Sequence, residues 1–128
     1  MKADDRFDSL IRYHVEHLWP LMDWRLIKAQ MAQESGFKIT ARSECGAYGL
    51  MQLMPDTFMS ISKGNILNAD DNLDAGIRYL KDQFERFPEI IDERERIRFA
   101  LAAYNGGRGY INRALYLARK AEGVETSQ

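Results

Sequence analysis

Apolar residues recur at three- and four-residue intervals over most of the chain, the period of an amphipathic helix. Phe7, Leu10, Ile11, His14, Val15 and Leu18 form the first such stripe. Asp5 or Asp8 is placed to cap it, and Pro20 forces its end soon after His17. A second helix is expected from Asp23, a good N-cap residue, with Trp24, Ile27, Met31 and Glu34 on one face and Gly36 at its C-terminal end. Over 37–49 the period vanishes and Ser, Gly, Thr and Arg dominate, which predicts a loop. Pro55 suits the first turn of a helix that turns Phe58 and Ile61 inward and breaks at Lys63-Gly64-Asn65. Asn68 or Asp70 opens a longer helix carrying Leu73, Ile77, Leu80, Phe84 and Phe87, stopped by Pro88. Asp92 and Glu95 resemble a capping box for a helix with Ile97, Ala100, Leu101 and Tyr104, ending at Gly106-Gly107. A last helix is expected over 110–122, closed by Gly123. With no sustained two-residue alternation, repeat or Gly/Ser linker, the pattern predicts a mainly α, compact single domain over 1–128. At most a short β element is expected near 37–49.

Composition narrows the function. Hydrophobic residues at 45% and charged residues at 29% are ordinary globular usage and exclude disorder. Eighteen Lys plus Arg against 19 Asp plus Glu give a net charge of -1, which argues against a nucleic-acid partner. One cysteine, Cys45, allows no intrachain disulfide, and with only His14 and His17 beside it no metal centre is expected. No run approaches the ~18 apolar residues of a membrane span. The charged start of the chain, with no apolar segment behind it, reads as lacking a secretory signal.

Glu34 is the most informative single residue. It follows Ile27 by seven positions and Met31 by three, which puts a carboxylate on an apolar face, in the last turn of the helix. Desolvation and the negative end of the helix dipole both raise the pKa of such a group. A carboxyl kept protonated near neutral pH can protonate a leaving-group oxygen. Periodicity alone favours the blander alternative, a helix-edge Glu in solvent or a salt bridge, because buried Glu is rare.

Four ordered blocks change that balance: Glu34-Ser35; Ser43-x-x-Gly46-Ala47-x-Gly49-Leu50-Met51-Gln52-Leu53-Met54-Pro55; Asn72-Leu73-x-x-Gly76-x-x-Tyr79-Leu80; and Ala103-Tyr104-Asn105-Gly106. Together, over roughly 18–116, they resemble the soluble lytic transglycosylase catalytic domain, a goose-type fold of the α+β lysozyme-like superfamily. The resemblance implies that Glu34 is the single catalytic acid/base. It implies that Ser43, Gln52 and Met54 line the sugar cleft, and that Tyr104 and Asn105 close it from the opposite side. The implied reaction cleaves the β-1,4 bond between N-acetylmuramic acid and N-acetylglucosamine in peptidoglycan and leaves a 1,6-anhydro ring, without metal or cofactor. The implied partner is the glycan strand, met by a monomer with no nucleic acid and no membrane span. The implied place of action is the bacterial cell wall, periplasmic or extracellular. Without a signal peptide the chain would be phage-delivered, exported by another route, or an excised or mature domain.

Glycosidases ordinarily use two carboxyl groups. Glu44 in the loop and Asp56 in a first helical turn are the other candidates, and Asp56 is explained by helix-start electrostatics. One carboxyl suffices if the substrate's N-acetyl carbonyl stabilises the cation and Glu34 later acts as base. A hydrolytic muramidase and a non-catalytic glycan-binding module on the same fold are the alternatives. Several residues also have plain readings, which spacing alone does not separate from the roles the resemblance implies. Gly46 and Gly49 permit a tight loop, Met51 and Met54 fill core, Tyr104 faces the core, and Cys45 is an incidental thiol. His14 and His17 are surface or partly buried, and the Arg/Glu run over 93–98 is a solvated face. Gln52 is harder to dismiss, since an amide in an apolar stretch needs partners. Trp24 after Asp23, where proline is common, and Gly107 depart from the family pattern.

Overall fold

Pro20 cannot continue a helix, and α1, Asp8–Leu18, stops two residues before it. Residues 4–106, with Leu117 and Lys120, are described by the computed structural model; the expected helix over 110–122 lies outside the described residues apart from those two. Four more helices follow among the described residues: α2 (Trp24–Ser35), α3 (Pro55–Ile61), α4 (Ala69–Glu85) and α5 (Glu93–Gly106). The expected β element amounts to two isolated antiparallel bridges, Arg42 with Tyr48 and Tyr48 with Leu53. The chain divides into two compact units within α4, after Tyr79.

The helix ends of the first unit follow local chemistry. Asp23 caps α2, its carboxylate accepting from Arg25 N at 3.0 Å, and Gly36 closes it in the left-handed region at φ 59°. Pro55 occupies the first turn of α3. Asn68 rather than Asp70 caps α4, its side chain accepting from Asp71 N at 2.9 Å. At α1 neither aspartate serves as a side-chain cap. Phe7 is the N-cap residue, Asp5 accepts Asp8 N through its main-chain carbonyl at 3.1 Å, and the Asp8 carboxylate pairs with Lys28 of α2 at 2.8 Å.

The core of this unit gathers Ile11, Val15, Ile27, Met31, Leu50, Met51, Leu53, Phe58, Leu73 and Ile77. His14, expected at the surface or partly buried, is buried. Its ring stands between two α4 carboxylates, Nε2 against Asp70 and Nδ1 3.3 Å from Asp74 Oδ2. An imidazole held between two carboxylates can be buried where an unpartnered one would be costly.

In the second unit Asp92 caps α5, accepting from Glu95 N at 3.1 Å, and Phe87 packs on Phe99 with ring centroids 5.9 Å apart. The buried stripe of α5 is Ala100, Ala103 and Tyr104; Ile97 and Leu101, expected inside, are only half-buried. Arg96 leaves the solvated face expected of the 93–98 run. Its guanidinium lies 4.1 Å from the Phe84 ring centroid and donates to Phe84 O at 2.8 Å.

Candidate active site

Glu34 occupies the last full turn of α2, one residue before its end. It is half-buried, and burial pushes its carboxyl above the ordinary glutamate range. The turn behind it is fixed by Ser35, which donates to Met31 O at 3.1 Å and accepts from Phe37 N at 3.2 Å. Gly36 and Phe37 then both adopt left-handed conformations, at φ 59° and 64°. Two such residues in succession throw the chain abruptly out of the helix, and only the glycine takes that conformation without steric cost. The Phe37 ring is held by stacking on Phe7 at 6.5 Å.

The loop after α2 is knit by its own polar groups. Ser43 accepts Ala47 N at 3.0 Å and its hydroxyl lies 3.1 Å from Cys45 Sγ, so it closes the 43–47 turn. Cys45 itself is exposed. Gln52 takes a left-handed φ of 51° and folds its amide back, donating to Gly49 O at 3.0 Å and Ala41 O at 3.2 Å. The Gln52 Nε2 group is therefore spent on backbone carbonyls, and its Oε1 has no partner among the described residues. The two methionines separate: Met51 is fully buried, whereas Met54 is 44% exposed, with a Cβ on Gly46 standing 4.0 Å from its terminal methyl. An exposed methionine beside a glycine turn is an adaptable apolar surface.

What fastens this loop to α4 is Asn72, quoted from the sequence without a role. It is buried, accepts Met51 N at 2.8 Å, and donates to Tyr48 O at 3.0 Å and Ile66 O at 2.8 Å. The flanking glycines make room for it. A Cβ on Gly49, which has φ 84°, would stand 2.3 Å from the Asn72 amide nitrogen, and a Cβ on Gly76 would stand 2.6 Å from Met51 Cβ. Gly49, Asn72 and Gly76 thus form one close approach of loop to helix.

Ser43, Gln52 and Met54 all lie on the single segment that follows the helix end carrying Glu34. Among the described residues of the first unit, no hydrogen bond or ion pair joins Glu34 to Ser43, Gln52 or Met54. Tyr104 and Asn105 belong to the second unit, at the C-terminal end of α5. Tyr104 is buried, and Asn105 is exposed and donates to Leu101 O at 3.2 Å. The second-carboxylate candidates, Glu44 and Asp56, are both exposed.

A mainly helical fold with a half-buried glutamate at the end of α2 and a glycine-rich loop locked to α4 defines the class: a lysozyme-like domain. Solved structures share it. The 70 kDa soluble lytic transglycosylase from Escherichia coli superposes with a TM-score of 0.74 at 25% identity, over 88% of this chain and 19% of that one. An inactive glutamate-to-glutamine mutant of the lytic transglycosylase Slt from Pseudomonas aeruginosa gives 0.70 at 28% identity, over 84% and 18%. The membrane-bound lytic murein transglycosylase F of Cronobacter sakazakii is 42% identical over 102 residues, 80% of this chain and 20% of that protein. The family model of the transglycosylase SLT domain matches residues 18–126, and the chain belongs to that family. It spans about a fifth of the length of the curated relatives it matches.

Proposed function

We propose that the chain is a peptidoglycan lytic transglycosylase domain that cleaves the β-1,4 bond between N-acetylmuramic acid and N-acetylglucosamine, with Glu34 as its acid/base. The observation that carries this reading is the half-buried Glu34 carboxyl with its raised pKa at the end of α2, in a chain of this family. Protonated Glu34 gives its proton to the glycosidic oxygen as the bond to the muramic C1 breaks. The muramic N-acetyl carbonyl oxygen attacks C1 and shares the positive charge. The Glu34 carboxylate then removes the proton of the 6-hydroxyl, whose oxygen closes on C1 and releases the N-acetyl oxygen, so one residue serves as acid and then base. The 6-hydroxyl is tethered to the reacting ring and needs no second molecule to be oriented, which favours ring closure over water.

Ser43, Gln52 and Met54 would line the glycan path on the loop, Met54 by direct apolar contact and Gln52 through its open Oε1. Tyr104 and Asn105 would hold the reacting sugar. The whole chain, 1–128, would act as one catalytic domain, as a monomer, on cell-wall strands in the periplasm or outside the cell. Among the described residues no helix is long and apolar enough to cross a membrane. The test is digestion of purified sacculi followed by borohydride treatment and mass spectrometry. Non-reducible 1,6-anhydromuramic ends, one water lighter than hydrolytic ends, are expected, together with at least a ~100-fold loss in Glu34→Gln. Predominantly reducible ends would make the protein a muramidase, and no turnover at all would leave a glycan-binding module.

A further inference from the structure

Gln30 of α2 is 8% exposed, and neither its amide oxygen nor its amide nitrogen has a hydrogen-bond partner among the described residues. Buried polar side chains are ordinarily paired, and an orphaned amide is destabilising where an apolar side chain would fit. The neighbours on its stripe, Ile27 and Met31, are fully buried apolar residues, so packing gives no reason for an amide there.

Its position does give one. Gln30 precedes Glu34 by four residues in a continuous helix, which places the two on one face with Cβ atoms about 5–6 Å apart. Helical side chains lean toward the helix N-terminus, so the Glu34 side chain is directed over the turn that carries Gln30. The two groups are not hydrogen-bonded in the structure, and catalytic hydrogen bonds commonly close only once substrate is bound. A primary amide suits a partner that changes protonation state. Its oxygen accepts from a protonated carboxyl, and its nitrogen donates to a carboxylate.

We infer that Gln30 is a positioning residue for Glu34, its buried amide binding the carboxyl in both protonation states of the reaction. This rests on the reading of Glu34 as the acid/base. It turns an otherwise unexplained buried amide into the group that limits the rotamers of the half-buried carboxyl before and after proton transfer.

The test is a double-mutant cycle on the full chain, with Gln30→Met as a near-isosteric apolar replacement and Gln30→Leu as a second variant. Initial rates on soluble glycan strands give kcat and KM separately, and melting temperature is followed in parallel. Gln30→Met is expected to lower kcat about tenfold, the worth of one hydrogen bond to a charged group, with KM unchanged and melting temperature equal or higher. In the Glu34→Gln background the same substitution is expected to cost nothing further. Unchanged kcat with a raised melting temperature would overturn the inference. So would an equal fall in both backgrounds, or a fall in both Gln30 variants that tracks lost stability. Full activity in Glu34→Gln alone would instead overturn the acid/base reading beneath it.

Discussion

Removing the Asn72 side chain is the sharpest perturbation of the loop that the proposed site needs. In Asn72→Ala three hydrogen bonds disappear at once. Met51 is fully buried, so losing the bond from its N–H to Asn72 Oδ1 is worth about 1–3 kcal/mol. Tyr48 O keeps a second partner in Leu53 N, and Ile66 is only half-buried, so those two losses are about 1 kcal/mol each. The sum, about 3–5 kcal/mol, is a large part of the 5–15 kcal/mol that holds a domain folded. Urea unfolding followed by the helical circular dichroism signal is the assay, and an unchanged m-value would confirm that stability alone has moved. Gly49→Ala supplies an independent check. Its Cβ would meet the Asn72 amide at 2.3 Å, so part of its destabilisation should vanish when Asn72 is already Ala. A loss below about 1 kcal/mol in Asn72→Ala, or strict additivity with Gly49→Ala, would refute the role of Asn72 as the anchor.

Other expectations concern the site itself. The folded pKa of Glu34 lies above its unfolded value, so its contribution to stability is present below the unfolded pKa and lost as pH rises through the folded one. Glu34→Gln should therefore match the parent's melting temperature near pH 3 and exceed it increasingly above about pH 4.3, where the free carboxyl ionises; a parent that gains on the variant with rising pH would contradict the burial argument. Gln52→Ala should lose about 1–2 kcal/mol of stability as well as turnover, because its amide nitrogen ties Gly49 and Ala41 together. Met54→Ala should change stability by no more than about 0.5 kcal/mol while lowering turnover several-fold, and full turnover in that variant would remove Met54 from the glycan path.

Features decided within a few residues were legible in the sequence. The cap at Asp23, the left-handed Gly36, Pro55 at a helix start and Asp92 ahead of α5 all depend on neighbours one to four positions away. Glu34 was legible only with the four motif blocks beside it, because a carboxylate in an apolar period alone favours a helix-edge residue. Gln30 carries a similar signal, a polar residue on the Ile27–Met31 stripe, but an amide does not announce chemistry as a carboxylate does. Asn72 was not legible as a pillar. Its partner Met51 lies 21 residues away, and only the folded loop shows which backbone groups need it. The depth of His14's burial was not legible on the same grounds, since Asp70 lies 56 residues off and a histidine's burial depends on what faces it. Met51 and Met54 share one composition and one loop, and only the fold separates the buried residue from the exposed one.

The exposed thiol on the 43–47 turn has a practical consequence. Cys45 is the single cysteine of the sequence, so a maleimide dye would attach at one known position without any engineering of the chain. The attachment point is two residues from Ser43, whose hydroxyl touches the sulfur and also accepts from Ala47 N. A fluorophore there would sit beside the proposed glycan path and report its occupancy by a change in emission. Binding and turnover could then be timed separately in one cuvette.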